Sequence, residues 1–459
     1  RYRLYHFLAM CRDSPPPSTW LQLPLQTRAV FALRRIVKPT GSTARAPFWR
    51  RLPRLTSRER KIVAVLGTAN LIDSYDVAIM GLALPQIQQG LSIEEHEVGR
   101  VGAAVRLGVL PAVVLTLLAD GFGRRRLLLV TILGFTFATF FTAFVSSALE
   151  FTLLQFLART FIAGEGMLAV VVIAEELRAG HRGWGIGILS AMGTLGHGVA
   201  ALAFSIINWL PYGWRALYVV GVVPLLLVAW FRRSLEETQR FRAQRLEPAN
   251  AWRRTMRPLR GLVRAYPGRL LALCGAIFPL AFVLDASLIF VSKTLQEVHG
   301  YTPAMVTLLF LTMGVTAPVG NLVAGALGDR WGRKRVLTLA ILVNGLAIAG
   351  FYNLSGALLP LVFGCMLLSL NIVSPLFAAL GTELFPTSYR STASGVRQIV
   401  ATVGGALGLM VESVAYGALG SHTAAITAML VLLPISPLVV GLFLPETANR
   451  ELEEIAPER

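Results

Sequence analysis

Two acidic residues, Asp73 and Asp76, lie three positions apart inside a long apolar stretch of the chain. Side chains at that spacing share one face of a helix. Two carboxylates in one low-dielectric cleft do not both ionise readily, so one of them can take up and release a proton. The spacing therefore predicts a proton-coupling site. The structural alternative is an ion pair between Asp76 and Arg159 that fixes the helix.

Charged residues inside apolar stretches raise the free energy of inserting a helix into the membrane. Each costs about 2.5–3.5 kcal/mol at the centre of a membrane helix, so it must face the protein interior, pair, or reach the interface. Eight residues are of this kind: Asp73, Asp76, Arg106, Arg159, Glu165, Asp285, Arg397 and Glu412. Arg106 has no carboxylate at helical spacing, which leaves two interpretations: contact with a substrate carboxylate, or a salt bridge to another helix. Glu165 lies too far round its helix to pair with Arg159 locally.

The apolar stretches themselves have the length of membrane spans. Hydrophobic residues make up 54% and charged residues 15% of the 459 residues, against about 25% charged in soluble domains. Runs of about 20 apolar residues match the hydrocarbon core, and only helices satisfy their backbone within such runs. Twelve spans are predicted, at 61–82, 98–118, 126–146, 150–174, 184–207, 214–231, 269–292, 303–327, 335–353, 358–380, 392–418 and 422–444.

The positive charge of the chain, a net +18, follows the predicted topology. With the N-terminus in the cytoplasm, 37 of the 43 Lys and Arg residues fall in cytoplasmic segments, against Arg100, Arg215 and Lys293 opposite. This positive-inside pattern predicts two cytoplasmic termini in a multi-pass protein, which we expect in the plasma (inner) membrane. Topology and contact with the lipid bilayer explain the charge, so no nucleic-acid partner is expected.

Short charged segments of one half recur in the other at an offset of 208 or 209 residues. The correspondences are Asp120-Gly-Phe-Gly123-Arg124-Arg125 with Asp329-Arg-Trp-Gly332-Arg333-Lys334, Glu175 and Arg182 with Glu383 and Arg390, and Glu237-Thr238 with Glu446-Thr447. Corresponding segments follow corresponding spans: span 2 or 8, span 4 or 10, and span 6 or 12. The chain is therefore predicted to be all-α, with 12 transmembrane helices in two pseudo-symmetric six-helix bundles.

These segments resemble the major facilitator superfamily of transporters. The residues Gly325, Asp329, Arg330, Gly332 and Arg333 match the signature loop of that family, whereas the first copy has Thr116 and Gly121 at two motif positions. The resemblance implies that the loop is a cytoplasmic gate latch, made of Asp120, Gly123, Arg124, Gly325, Asp329, Arg330, Gly332 and Arg333. Glycine would let helices approach closely, and the aspartate could sit at a neighbouring helix N-terminus.

Other segments resemble particular branches of the family. Asp73 to Asp76 resembles the first helix of aromatic-acid/proton symporters, and Glu383 to Arg390 resembles a loop of organic-ion and aromatic-acid transporters. Pro445 to Thr447 resembles the end of sugar-porter-like chains. The resemblance also implies that Asp285 faces a central cavity and that Arg159 is structural or proton-linked.

The predicted organisation has five parts. They are a disordered basic cytoplasmic tail (1–57), an N-terminal bundle (58–231), a basic cytoplasmic linker (232–268), a C-terminal bundle (269–446) and a cytoplasmic tail (447–459). A transit peptide or an upstream extension is the alternative for 1–57.

The predicted function is secondary active transport of a small organic solute by alternating access. We expect an organic or aromatic acid to be moved by proton symport, by a protein that works as a monomer. A sugar porter and an organic-cation or drug carrier are alternatives, and a non-transporting receptor is an alternative of another class. An enzyme is not expected, because no nucleophile cluster, metal-ligand spacing or cofactor motif occurs, so no metal or cofactor is predicted.

Overall fold

A computed structural model describes residues 55–178, 180–232, 251–386, 388–448 and 455–456, with side chains except at 117–122, 227, 231–232 and 251–256. Twelve principal helices follow one another along the chain. They are Ser57–Leu82 (α1), Glu95–Leu107 continued by Val109–Phe122 (α2), Arg124–Thr142 (α3), Ala148–Glu176 (α4), Arg182–Ser205 (α5), Trp214–Arg232 (α6), Pro267–Val298 (α7), Pro303–Trp331 (α8), Arg333–Asn353 (α9), Gly356–Glu383 (α10), Arg390–Leu419 (α11) and His422–Phe443 (α12).

The helices confirm the predicted all-α, multi-pass fold. Eleven of them are long and apolar enough to cross a membrane, and α6, with 19 residues, occupies the remaining predicted span. No β-strand occurs among the described residues. Two further helices were not predicted: Leu84–Gly90 after α1, and Ala251–Ala265 inside the basic linker. The predicted tail at 1–57 lies outside the described residues except for its last three positions.

Several helices begin at side chains that cap free backbone N–H groups. Thr56 accepts from the backbone N–H of Glu59, whose carboxylate in turn accepts from the backbone N–H of Thr56. Ser147, Thr302 and Ser421 each accept one backbone N–H of the first turn of α4, α8 and α12. Such caps stabilise a helix by about 1 kcal/mol each, and they fix where each span starts.

The internal repeat is visible in the backbone of the two motif loops. Gly123 precedes α3 with φ 99° and ψ 140°, and Gly332 precedes α9 with φ 98° and ψ 137°. Residues with a Cβ rarely adopt this conformation. The two copies therefore make the same turn between the second and third helix of each half, as the sequence offset predicts.

The helices pack as two bundles, α1–α6 and α7–α12, which we call the first and second halves. They touch mainly where α2 packs on α11 and α5 on α8. We name the end that carries Arg124 and Arg333 the motif end, and the end that carries Glu95 and Lys293 the distal end. At the distal end Thr307 donates to the carbonyl of Ala201, and Ser292 to that of Leu82. The two halves are in contact at the distal end.

The predicted orientation can be tested with single cysteines introduced after removal of the natural ones. Cysteines at the exposed positions Gln89 and Val298 are expected to react with an impermeant maleimide added to intact cells, because the distal end is predicted to face outside. A cysteine at Arg245 should react only after the cells are opened. Labelling of position 245 in intact cells would reverse the orientation.

Candidate functional site

An ion pair joins the two halves in the interior of the protein. Arg106 on α2 places its Nε 2.7 Å from Oδ2 of Asp285 on α7, an electrostatic contact without the alignment of a good hydrogen bond. Their side chains are 30% and 19% exposed. Charges at this depth of a membrane protein mark cavities and solute pathways. The sequence named both residues, and the structure brings them together.

A break in α2 positions Arg106. The regular helix Glu95–Leu107 ends at Gly108 and resumes as Val109–Phe122. The hydroxyl of Thr160 on α4 donates to the Gly108 carbonyl at 2.8 Å. A Cβ at Gly108 would come within 3.1 Å of the Arg159 Cβ and closer still to the Phe156 carbonyl. Glycine is therefore required for α2 and α4 to approach each other beside the arginines.

Small residues on α11 position Asp285. A Cβ at Gly405 would collide with the Asp285 carboxylate, and one at Gly408 with the backbone of Phe282. These glycines let α11 lie directly against α7. The Asp285 side chain consequently rests on a surface without side chains and extends toward α2.

Asp76 and Arg159 lie beside this ion pair. Asp76 is buried and accepts a hydrogen bond from Thr139 on α3 at 3.0 Å. Arg159 lies within electrostatic reach of Asp76, Arg106 and Asp285. We call these four residues, Asp76, Arg106, Arg159 and Asp285, the central cluster. Its two positive and two negative groups balance, so it can exchange charged partners without burying a net charge.

Asp73 and Glu165 are both buried, at 3% and 1% exposure. Asp73 is one turn from Asp76 on α1, toward the motif end, and shares its buried face, as their spacing predicts. Glu165 lies on α4 between Arg159 and the motif end. Tyr75 anchors this part of α1, because its hydroxyl donates to the Leu217 carbonyl of α6 at 2.9 Å.

At the motif end, corresponding residues of the two halves make corresponding contacts. Arg124 pairs with Glu175 at 3.2 Å, and Arg333 pairs with Glu383. Arg182 donates to the carbonyl of Leu177, and Arg390 to that of Phe385, each at 3.2 Å. The loop glutamates thus bind the motif arginines, and Arg182 and Arg390 close their own loops.

The motif aspartate differs from its expected place. The acid at the N-terminus of α9 is Glu446, which accepts from the backbone N–H groups of Arg333 at 2.9 Å and Lys334 at 3.3 Å. Asp329 is 66% exposed and lies 3.5 Å from Arg333. Gly325 and Arg330 are exposed, and a Cβ at Gly325 would meet open space. The side chain of Asp120 lies outside the described residues.

The distal end carries a charged cluster that the sequence analysis did not predict. Lys293, 3% exposed, pairs with Glu95 at 3.1 Å and with Glu297 at 2.7 Å. His422 contacts both Glu95 and Glu412. Lys293 was noted only as one of three basic residues on the predicted outer side, and its burial was the missing information. In the described part of the chain, no group of three or more His, Cys, Asp or Glu side chains could hold a metal ion.

Comparison with known proteins identifies the family. The family model described as Major Facilitator Superfamily matches residues 66–409 and 271–458. Among solved structures, the inward-open xylose transporter XylE from E. coli is similar at a TM-score of 0.68 and 17% identity, over 86% of this chain and 99% of that one. Another similar structure is that of a bacterial homologue of the human lysosomal transporter Spinster, inward-facing and occupied. Its TM-score is 0.69 and its sequence identity 16%, over 85% of this chain and 97% of that one.

Several curated relatives are named as transport proteins for organic acids or a lactone. A probable 4-methylmuconolactone transporter of Cupriavidus pinatubonensis is 27% identical, over 84% of this chain and 90% of its own length. Two proteins of Acinetobacter baylyi are similar as well: a cis,cis-muconate transport protein at 25% (74% and 83% covered) and a benzoate transport protein at 23% (71% and 75%).

Proposed function

This chain belongs to the major facilitator superfamily, and we propose that it moves a small organic or aromatic acid across the membrane together with protons, by alternating access. The relatives named for muconolactone, muconate and benzoate transport support an acidic or aromatic substrate. Within the chain, the single observation that carries the proposal is the partly accessible ion pair between Arg106 and Asp285, which links the halves.

A substrate carboxylate can compete with Asp285 for Arg106. Guanidinium groups bind carboxylates well because their N–H donors match the two oxygens. When a substrate takes the place of Asp285, the interior contact between α2 and α7 is lost. Binding of the solute is thereby coupled to relative motion of the two halves, which alternating access requires.

The charge balance of the central cluster favours proton symport. Two arginines and two aspartates are already matched, so a bound carboxylate adds one uncompensated negative charge. Burying that charge alone is costly. A proton on Asp76 or Asp285 restores the balance, and the buried Asp73 supplies a second carboxylate one turn away.

The motif end is proposed to face the cytoplasm and to open and close as the gate. Asp329 and Gly325 are exposed at the motif end, while the two halves are in contact at the distal end. We propose that this exposed surface of α8 meets the other half when the gate closes. In the proposed arrangement, the moving bundles are residues 58–231 and 269–446. The linker 232–268 and both tails are cytoplasmic. The protein works as a monomer in the plasma (inner) membrane.

Replacing Asp329 with asparagine is expected to slow transport at least about fivefold, within the range of gating couplings. Insertion and folding should stay unchanged, because the side chain is mostly exposed in this state. Asp120→Asn is the matched variant and should have a smaller effect, since its motif copy lacks two consensus residues. The measurement is the initial uptake rate in liposomes containing equal amounts of folded protein. Wild-type rates in both variants would contradict the gate.

Uptake by the purified protein in liposomes tests the function as a whole. The panel contains benzoate, muconate, a neutral sugar and an organic cation, each offered with and without an inward proton gradient. We expect accumulation of an acid that depends on the gradient. Uptake of the sugar or the cation alone would favour the other carriers of this fold, and uptake of none would contradict transport of these solute classes.

A further inference from the structure

His422 lies between two carboxylates that belong to opposite halves. His422 is the first residue of α12. Its Nδ1 is 2.6 Å from Oε1 of Glu412 on α11, and its Nε2 is 3.0 Å from Oε2 of Glu95 on α2. Glu412 is fully buried, and the His422 side chain is 12% exposed. The imidazole ring therefore joins the first half to the second at the distal end.

This geometry fixes a count of protons. A carboxylate can only accept hydrogen bonds, and a neutral imidazole has a single N–H to donate. Because both ring nitrogens lie within hydrogen-bond distance of a carboxylate, the three groups need one proton beyond those of a neutral ring and two carboxylates. That proton can reside on the ring or on a carboxyl, and the closed distal end contains it in either case.

The two faces of the ring provide independent support for a positive charge. Phe290 of α7 stacks on one face at a centroid distance of 4.4 Å, and Tyr416 of α11 stacks at 4.2 Å, with interplanar angles of 25° and 27°. Aromatic faces attract cations through their quadrupole. A ring held between two aromatic faces and two carboxylates is suited to carry the extra proton.

The carboxylates outnumber the cationic side chains in the rest of this cluster. Glu95 shares the Lys293 ammonium with Glu297, and Tyr352 of α9 lies within electrostatic reach of Glu412. Lys293 thus pairs with two of the three carboxylates at this end, while the third, Glu412, contacts His422. A charged His422 brings the positive groups to two, which lowers the unmatched negative charge in a buried place.

We propose that Glu95, His422 and Glu412 form a proton-binding site that is complete only while the distal end is closed. Opening separates α2 from α11 and α12, which removes Glu95 from the ring. The proton then exchanges with the distal solution, toward which the half-exposed Glu95 side chain already extends. Acid on the distal side consequently stabilises the closed distal end. The inference rests on the alternating access of the proposed function.

Cysteine accessibility tests this site without any transported solute. The full chain, with Cys11, Cys274 and Cys365 replaced by serine, carries Thr307→Cys as a reporter in lipid nanodiscs. Thr307 is buried between the halves at the distal end, away from the site. Ser355→Cys, exposed at the same end, corrects for the pH dependence of the thiol itself. The observable is the maleimide labelling rate of Thr307→Cys divided by that of Ser355→Cys.

The ratio is expected to fall about tenfold between about pH 8 and about pH 5.5, since one linked proton allows up to about tenfold per pH unit. His422→Gln and Glu95→Gln should each reduce this change to about twofold or less, because a glutamine at either position removes the need for the extra proton. Glu297→Gln is the matched control and should keep most of the change, since Glu297 contacts Lys293 while the ring nitrogens of His422 contact Glu95 and Glu412.

A flat ratio in the otherwise unaltered chain, or an unchanged pH response in both glutamine variants, would overturn the inference. Glu95→Gln protects the test against misfolding of the His422 variant, because Glu95 lies at a partly exposed helix start. If the pH response behaves as expected while no solute of the panel is transported, the proton site stands and the proposed function fails.

Discussion

Arg106→Gln is expected to reduce uptake of the organic acid about 30-fold or more, with the protein still inserted in the membrane. The change removes the contact with Asp285 and the proposed contact with the substrate carboxylate. Truncating one partner of a buried charge pair costs about 2–5 kcal/mol, and each 1.4 kcal/mol is tenfold. The measurement is the initial uptake rate per folded molecule in liposomes, together with the binding affinity for the acid.

Two further variants separate a substrate contact from a purely structural ion pair. Arg100→Gln removes an exposed arginine from the same helix and should transport normally. The double variant Arg106→Gln, Asp285→Asn removes the pair without leaving an unmatched charge, so it should fold well and stay inactive. Recovery of wild-type uptake in the double variant would assign Arg106 a structural role only.

The sequence identified the members of the central cluster and named Arg159 as a partner for Asp76, but it did not pair Arg106 with Asp285. The cost of charge in apolar helices was enough to single out Arg106 and Asp285. Their pairing depends on how α2 and α7 of different halves meet, and no periodicity within one helix contains that information. The same limit applies to Asp76, whose hydrogen-bond partner Thr139 is an ordinary polar residue of α3.

The repeat, in contrast, predicted corresponding positions in the two halves. Arg124 and Glu175 correspond to Arg333 and Glu383, and the structure pairs each arginine with the glutamate of its own half. Duplicated segments carry information about three-dimensional neighbours, since each half folds by the same contacts. The sequence also placed the glycines of the motif loops, which the backbone requires at φ near 99°.

The distal cluster could not be predicted, for a physical reason. Glu95 and His422 each open a helix, and Lys293 lies in the last turns of another, positions at which charged residues usually face water. Only the contact between the halves buries Lys293 and brings Glu95 to His422. Because this contact joins residues that are far apart in the sequence, local sequence does not report it.

Neutralising Asp76 on α1 should selectively abolish the coupling of transport to protons. Asp76 is buried, accepts from Thr139, and lies within electrostatic reach of Arg159. A carboxylate between a hydroxyl donor and a cation can hold or release a proton as that cation changes partners. Asp76→Asn keeps the shape of the side chain and removes this capacity. We expect loss of uphill, gradient-driven uptake with substrate counterflow retained, and a weaker form of the same defect in Asp73→Asn.

The comparison of gradient-driven uptake with counterflow distinguishes coupling from structure. A structural ion pair behaves differently, because its loss leaves Arg159 with one anionic neighbour fewer and should lower the amount of folded protein for any assay. Thr139→Val is the matched control, since it removes the hydrogen bond and leaves the carboxylate, so it should still concentrate substrate. If Asp76→Asn also concentrates substrate under a proton gradient, at equal amounts of folded protein, the coupling proton does not reside on Asp76.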